Sequence, residues 1–113
     1  MKKVNIVKEN KDFNRIINER KSIKNTYFVV YKSFNNKEIY RIGISVGVKV
    51  GNAVIRNKLK RQVRNIIDLY KKDYEKGIDY IIMVRKSCLN TDFQILKEAL
   101  WQLLDWRKNE EKK

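Results

Sequence analysis

Histidine is absent from this chain of 113 residues, proline is absent, and there is one cysteine. Without histidine the chain lacks the side chain that most often does acid and base work near neutral pH, including the paired imidazoles of many metal-free ribonucleases. Cys88 cannot form an internal disulfide, which fits a reducing cytoplasm, and with no histidine it leaves too few soft ligands for tetrahedral zinc. The 13 acids are scattered, with Asp68, Asp73 and Glu75 the densest group, a poor basis for a two-metal site. Apolar uncharged runs such as Ile81 to Val84 fall far short of the roughly 20 residues that span a bilayer. Lys and Asn interrupt Met1 to Asn10 throughout, so no secretory signal is expected there. With only four glycines and no low-complexity block before the closing KNEEKK, the expectation is one soluble, cytoplasmic domain over residues 1–113 with a short frayed tail.

What is abundant is positive charge. Lys and Arg number 27 against those 13 acids, a formal charge of +14, which calls for a polyanionic partner. Nucleic acid ranks first and an anionic membrane surface second. A hydrophobic content of 42% is enough to close one core.

Along the chain, Phe13, Ile16 and Ile17 recur at helical spacing behind Asn10 as a possible cap, which predicts a short first helix. TYFVVYKSF, from Thr26 to Phe34, is aromatic and β-branched; Asn35-Asn36 reads as a turn and YRIGISV, Tyr40 to Val46, as the second strand of a hairpin. In that strand Tyr40, Ile42, Ile44 and Val46 face a core, and Arg41, Gly43 and Ser45 face an open side. Gly47 and Gly51 bracket a turn, Asn52 is the expected N-cap, and a long helix is predicted to about Glu75, before Gly77. DYIIMVR, Asp79 to Arg85, is apolar on both faces and suits an interior strand parallel to its predecessor. Thr91 with Gln94 offers a capping box for a last helix with Phe93, Leu96, Leu100 and Leu103 as its core stripe. Trp101 and Trp106 fall off that stripe, to pack on a neighbouring copy or to cover a sheet edge. The expected class is α+β, a two-layer α-β sandwich of three helices and a small mixed sheet of about four strands in the order αβββαβα.

The long helix carries the functional signal. At about 100° per residue Ile55, Leu59, Val63, Ile66 and Tyr70 form one apolar stripe. Lys60, Arg61 and Arg64 project opposite, beside Asn57, and Arg56 lies at the border with its stem over apolar surface and its guanidinium reaching out. A basic helix is usually a solvated face, but solvated faces interleave acids at i+4, and from Gly47 to Ile67 there is none. Unpaired like charges on adjacent turns repel one another, a cost that a phosphate backbone relieves. Gly51 and Asn52 add a helix N-terminus, which favours anions, although capping explains those two residues equally well.

The segment RIGISVGVKVGNAVIRNKLKRQVRN, Arg41 to Asn65, closely resembles the signature of the protein subunit of bacterial ribonuclease P, with its R-N-x-x-K-R-x-x-R core at Arg56, Asn57, Lys60, Arg61 and Arg64. The likeness extends to KxNKDFxxI at Lys8 to Ile16, FVVY at Phe28 to Tyr31 and DYIIMVRK at Asp79 to Lys86. The resemblance implies hydrolysis of the bond joining the 5′ leader to mature tRNA, with catalysis and the Mg2+ ions on an RNA subunit and no catalytic residue on the protein. It implies docking on that RNA through Arg56, Asn57, Lys60, Arg61 and Arg64, flanked by Lys49 and Asn52. It further implies contact of the single-stranded leader with Phe13, Ile17, Tyr31 and Ser45, in a cleft between the sheet and the first helix. Ribonuclease P RNA and precursor tRNA are the implied partners, with no obligate protein partner, and a left-handed β-α-β crossover is implied around the basic helix. Ile17 departs from the family's frequent second aromatic and Gly47-Val48 from its small or polar residue followed by Lys, which implies weaker leader contact. Core packing is the alternative role for Phe13 and Tyr31. A stand-alone nucleic-acid binder of ribosomal or nucleoid type is the competing class, and a protein-only nuclease the third.

Overall fold

In the computed structural model, which describes residues 2–70 and 73–105, the run from Ile78 to Val84 is buried at six of its seven positions. A strand apolar on both faces needs layers on both sides and neighbours at both edges. It has them. The strands are β1 (Ser22–Lys24), β2 (Phe28–Phe34), β3 (Arg41–Val46) and β4 (Ile78–Val84), in the sheet order β1-β2-β4-β3. β4 is antiparallel to β2 and parallel to β3, as an interior strand following a helical connection requires. The helices are α1 (Asn10–Asn18), α2 (Ala53–Leu69) and α3 (Phe93–Leu104), with short 3₁₀ turns at Lys3–Asn5 and Lys86–Asn90. The αβββαβα order and the α+β class hold.

The expected hairpin does not form, because β4 inserts between its two arms. The Asn35-Asn36 turn is real: the Asn35 side chain accepts from the Lys37 amide, and Asn36 takes a positive φ of 59° that Asn tolerates. It opens the strands rather than pairing them. The Asn35 amide donates to the Gly77 carbonyl and the Gly77 amide to the Ile39 carbonyl, so the chain entering β4 threads between β2 and β3. β1, three residues at the sheet's edge, had no counterpart in the strand reading of the sequence.

One face of the sheet carries the main core. Phe28 and Val30 of β2, Ile42 and Val46 of β3, and Ile78, Tyr80, Ile82 and Val84 of β4 meet Leu59, Val63, Ile66 and Ile67 of α2 and Leu96, Leu100, Leu103 and Leu104 of α3. Each such buried side chain contributes roughly 1.5–3 kcal/mol. Ile55, placed in the apolar stripe by periodicity, is exposed at the first turn, while Ile67 takes a buried place. α2 stops at Leu69, short of Glu75. Tyr70 is extended, and the last-turn carbonyls find side-chain donors: Tyr74 Oη reaches Ile67 O at 2.7 Å and Trp101 Nε1 reaches Ile66 O at 3.1 Å. Trp101 thus packs on the end of α2, beside Tyr70. Trp106 and the KNEEKK tail lie outside the described residues.

Two caps fall one residue from where spacing put them. Glu9 precedes α1 as its N-cap and makes no side-chain cap bond, Asn10 being already helical. Asp92, not Thr91 with Gln94, caps α3 by accepting from the Ile95 amide. Asn52 caps α2 as expected, accepting from the Ile55 amide at 3.0 Å.

Candidate RNA interface

The second face of the sheet is where the strands place polar and small residues. Register groups these into three rows across the strands. Ser33, Asp79 and Arg41 form the first, Tyr31, Ile81 and Gly43 the second, and Val29, Met83 and Ser45 the third. α1 covers the first two. Ile16 is fully buried with Val7 and Ile81, and Phe13, Tyr31 and Met83 pack around them half-buried. The third row is left half-exposed, an open shelf beside the helix.

Gly43 explains how close α1 comes. A Cβ at that position would lie 2.6 Å from Phe13 Cζ and 2.9 Å from Ile81 Cδ1, so only glycine admits the ring. The expectation that Gly43 lies on an open side is therefore wrong, while Ser45, two residues on, does face the opening. Arg41, on the same face, is taken up by the acid beneath α1 rather than left open.

That acid, Asp79, has a side chain with 0% exposure. Its Oδ1 accepts from Arg41 Nε at 2.8 Å and from Asn35 Nδ2 at 2.8 Å; its Oδ2 accepts from Arg41 Nη2 at 2.6 Å and Arg15 Nη2 at 3.1 Å. Burial works to raise the carboxyl's pKa, but these donors outweigh it and hold Asp79 below the usual carboxylate range. No side chain of this network figured among the sequence's candidate site residues. An Asp opening an otherwise apolar strand, Asp79 before Tyr80 to Val84, was the available signal, since a charge there must be paired.

Phe13, Ile17 and Ser45 come together in one groove with Asn14, Lys8 and Lys60, enclosing about 460 Å³. Tyr31 does not line it. It sits two strands across from Gly43, roughly 10 Å by strand spacing, packed against the Ile81 cluster on the same face. Lys60 is the link: it lies on α2, yet it forms a wall of this groove.

Beyond Lys60, the exposed side of α2 carries Asn57, Arg61 and Arg64, and Lys49 stands exposed in the preceding loop. Among the described residues none of Lys49, Lys60, Arg61 and Arg64 is in a salt bridge, whereas the ion pairs that do form involve Arg15, Arg41, Lys11 and Lys32. Arg56 differs from expectation. It folds back, its Nε donating to Gly51 O at 3.1 Å, and so braces the loop ahead of the helix. Val48 and Val54 are both 76% exposed beside this loop, an apolar element that charge counting overlooked. Among the described residues no group of three or more Cys, Asp or Glu side chains is arranged to hold a metal ion. No helix among them is long and apolar enough to cross a membrane.

Known proteins are similar to this chain in sequence and in fold. The ribonuclease P protein component of Mycoplasma mycoides is 44% identical over 107 residues, covering 92% of this chain and 96% of the relative. That of Bacillus mycoides is 41% identical over 101 residues, covering 88% of each. A solved Staphylococcus aureus RNase P protein, a mutant with defective mRNA degradation activity, superposes with a TM-score of 0.84 at 34% identity, covering 94% of this chain and 90% of that one. The RNase P protein of Thermotoga maritima gives 0.77 at 38% identity, covering 87% and 93%. The Ribonuclease P family profile matches residues 1–107, and the chain belongs to that family.

Proposed function

We propose that this chain is the protein component of a cytoplasmic ribonuclease P, an endoribonuclease assembled on a catalytic RNA, and that it presents two RNA-binding surfaces to that assembly. The carrying observation is the basic side of α2, free of acids from Ala53 through Ile67 and with Lys60, Arg61 and Arg64 in no salt bridge among the described residues, running through Lys60 into the groove of Phe13, Ile17 and Ser45. The α2 side, with Lys49, Asn57, Arg61 and Arg64, suits the phosphate backbone of the catalytic RNA, where each guanidinium or ammonium releases a counterion. Asn52 and Arg56 shape the N-terminus of that helix rather than lead the contact. The groove, with an aromatic edge and a small hydroxyl floor, suits an unpaired strand such as the 5′ leader of precursor tRNA, because stacking tolerates any base. Divalent metal would supply the hydrolytic chemistry and is assigned to the RNA. The protein's part is to bind and orient.

Reconstitution tests this. The purified chain added to a bacterial ribonuclease P RNA at near-physiological magnesium is expected to restore removal of the leader from precursor tRNA, and the chain alone to cleave nothing. A folded sample that restores no cleavage would favour a stand-alone nucleic-acid binder.

A further inference from the structure

α1 forms one wall of the groove, and what fixes it is mostly polar. Nine residues are too few for a helix to hold itself, and its first turn has no side-chain cap. Its apolar anchorage is narrow: Ile16 buried fully, Phe13 in part. The remaining attachments are polar and reach β2, β3 and β4. Arg15 donates to Asp79 Oδ2 on β4 and to Ser33 Oγ on β2, at 3.1 and 3.0 Å, and Ser33 Oγ in turn donates to the Glu19 carboxylate at 2.8 Å. Asp12 pairs with Arg41 of β3 at 3.6 Å.

Asp79 stands at the centre, binding α1 through Arg15, β3 through Arg41 and the β2–β3 connection through Asn35. A buried ion pair adds little stability over well-packed apolar residues; its best-attested use is to fix register. Register matters here because the clearance between Phe13 and Gly43 leaves no room for α1 to slide inward. We infer that the buried Asp79 carboxylate, acting through Arg15, is a positioning group that sets where α1 holds Phe13 over the sheet and so sets the width of the single-strand groove. This rests on the reading of that groove proposed above. Arg15, already neutralised by Asp79 and Glu19, is a strut and not a phosphate contact.

The reconstituted holoenzyme tests it, through its preference for precursor over mature tRNA. Arg15→Ala and Asp79→Asn are expected to lower that preference roughly five- to tenfold, the scale of a displaced contact group, with affinity for the catalytic RNA unchanged. Adding Phe13→Ala to either should produce no loss beyond that of Phe13→Ala alone, because the strut acts through the ring. Arg15→Lys should recover part of the preference. In the free protein, hydrogen exchange of α1 amides should quicken in Arg15→Ala while α2 stays protected, and in Asp79→Asn α1 should quicken more than α2. Additive losses, a salt dependence lowered by about one counterion in Arg15→Ala, or unchanged α1 protection in both variants would each overturn the inference. Should Asp79→Asn not fold, Arg15→Ala alone carries every readout, since Arg15 is half-exposed. A wild-type complex that cleaves without preferring precursor refutes the groove reading and this inference together; a preference that both variants keep refutes the inference alone.

Discussion

A single methyl group at position 43 would collide with both Phe13 and Ile81, so Gly43→Ala tests the closeness of α1 at the residue scale. It is expected to destabilise the fold by about 1–3 kcal/mol, the usual cost of overpacking, measured by denaturant unfolding. Asp79→Asn is a harsher change, since it leaves two guanidiniums competing for a neutral amide. Its expected cost at pH 7 is about 3–5 kcal/mol. The pH dependence has a fixed sign. Asp79 has a lowered pKa in the folded state, so its contribution is complete above the free carboxyl value of about 3.9 and is lost as pH falls through the folded value. Below that range, the wild-type and Asp79→Asn unfolding curves should converge. Cys88 provides a contrast: burial pushes its thiol up to about 11, while its Sγ donates to the Tyr27 carbonyl. Thiol reagents at pH 8 should therefore label it only at the rate of unfolding, and fast labelling of the native protein would contradict its buried position.

At the scale of elements, α2 was the most legible part of the sequence and its C-terminus the least. Helical periodicity placed Leu59, Val63 and Ile66 inside and the basic residues outside, because an amphipathic helix must bury its stripe whatever it packs on. The stop at Leu69 depends on Tyr74 and Trp101, which reach the final carbonyls from 7 and 35 residues away in sequence, and no local pattern encodes such donors. Arg61→Ala and Arg64→Ala should each weaken binding to the catalytic RNA and flatten its salt dependence by about one counterion, read from affinities over a salt series. Arg56→Ala should behave differently, loosening the loop at Gly51 with a smaller change in slope, because its Nε is already committed to a carbonyl. Outside the groove but on the same face of the sheet, Tyr31→Ala separates two roles. Loss of precursor preference by roughly 1 kcal/mol with unchanged stability would mark a stacking contact, whereas a lower unfolding midpoint with equal loss for both tRNAs would mark core packing against Ile81.

For the whole molecule, class and element order were readable because amphipathic helices and apolar strands carry their periods locally, whereas strand neighbours do not. Two β-rich runs joined by Asn-Asn look like a hairpin at short range, and the competing partner, β4, lies more than 30 residues further on. Its doubly apolar character was visible, and the demand for neighbours on both edges is what overrode the local turn. This order of pairing also bears on how the protein is made. β2 and β3, synthesised early, have no direct ladder with each other and must wait for residues 78–84 before either gains its main partner. Closing such distant pairs is slow relative to local ones, and apolar strands stay uncovered in the interval. On the ribosome, then, the floor on which α1 rests is assembled only after about three-quarters of the polypeptide has emerged, and a nascent chain truncated before β4 should fail to protect α1 from protease.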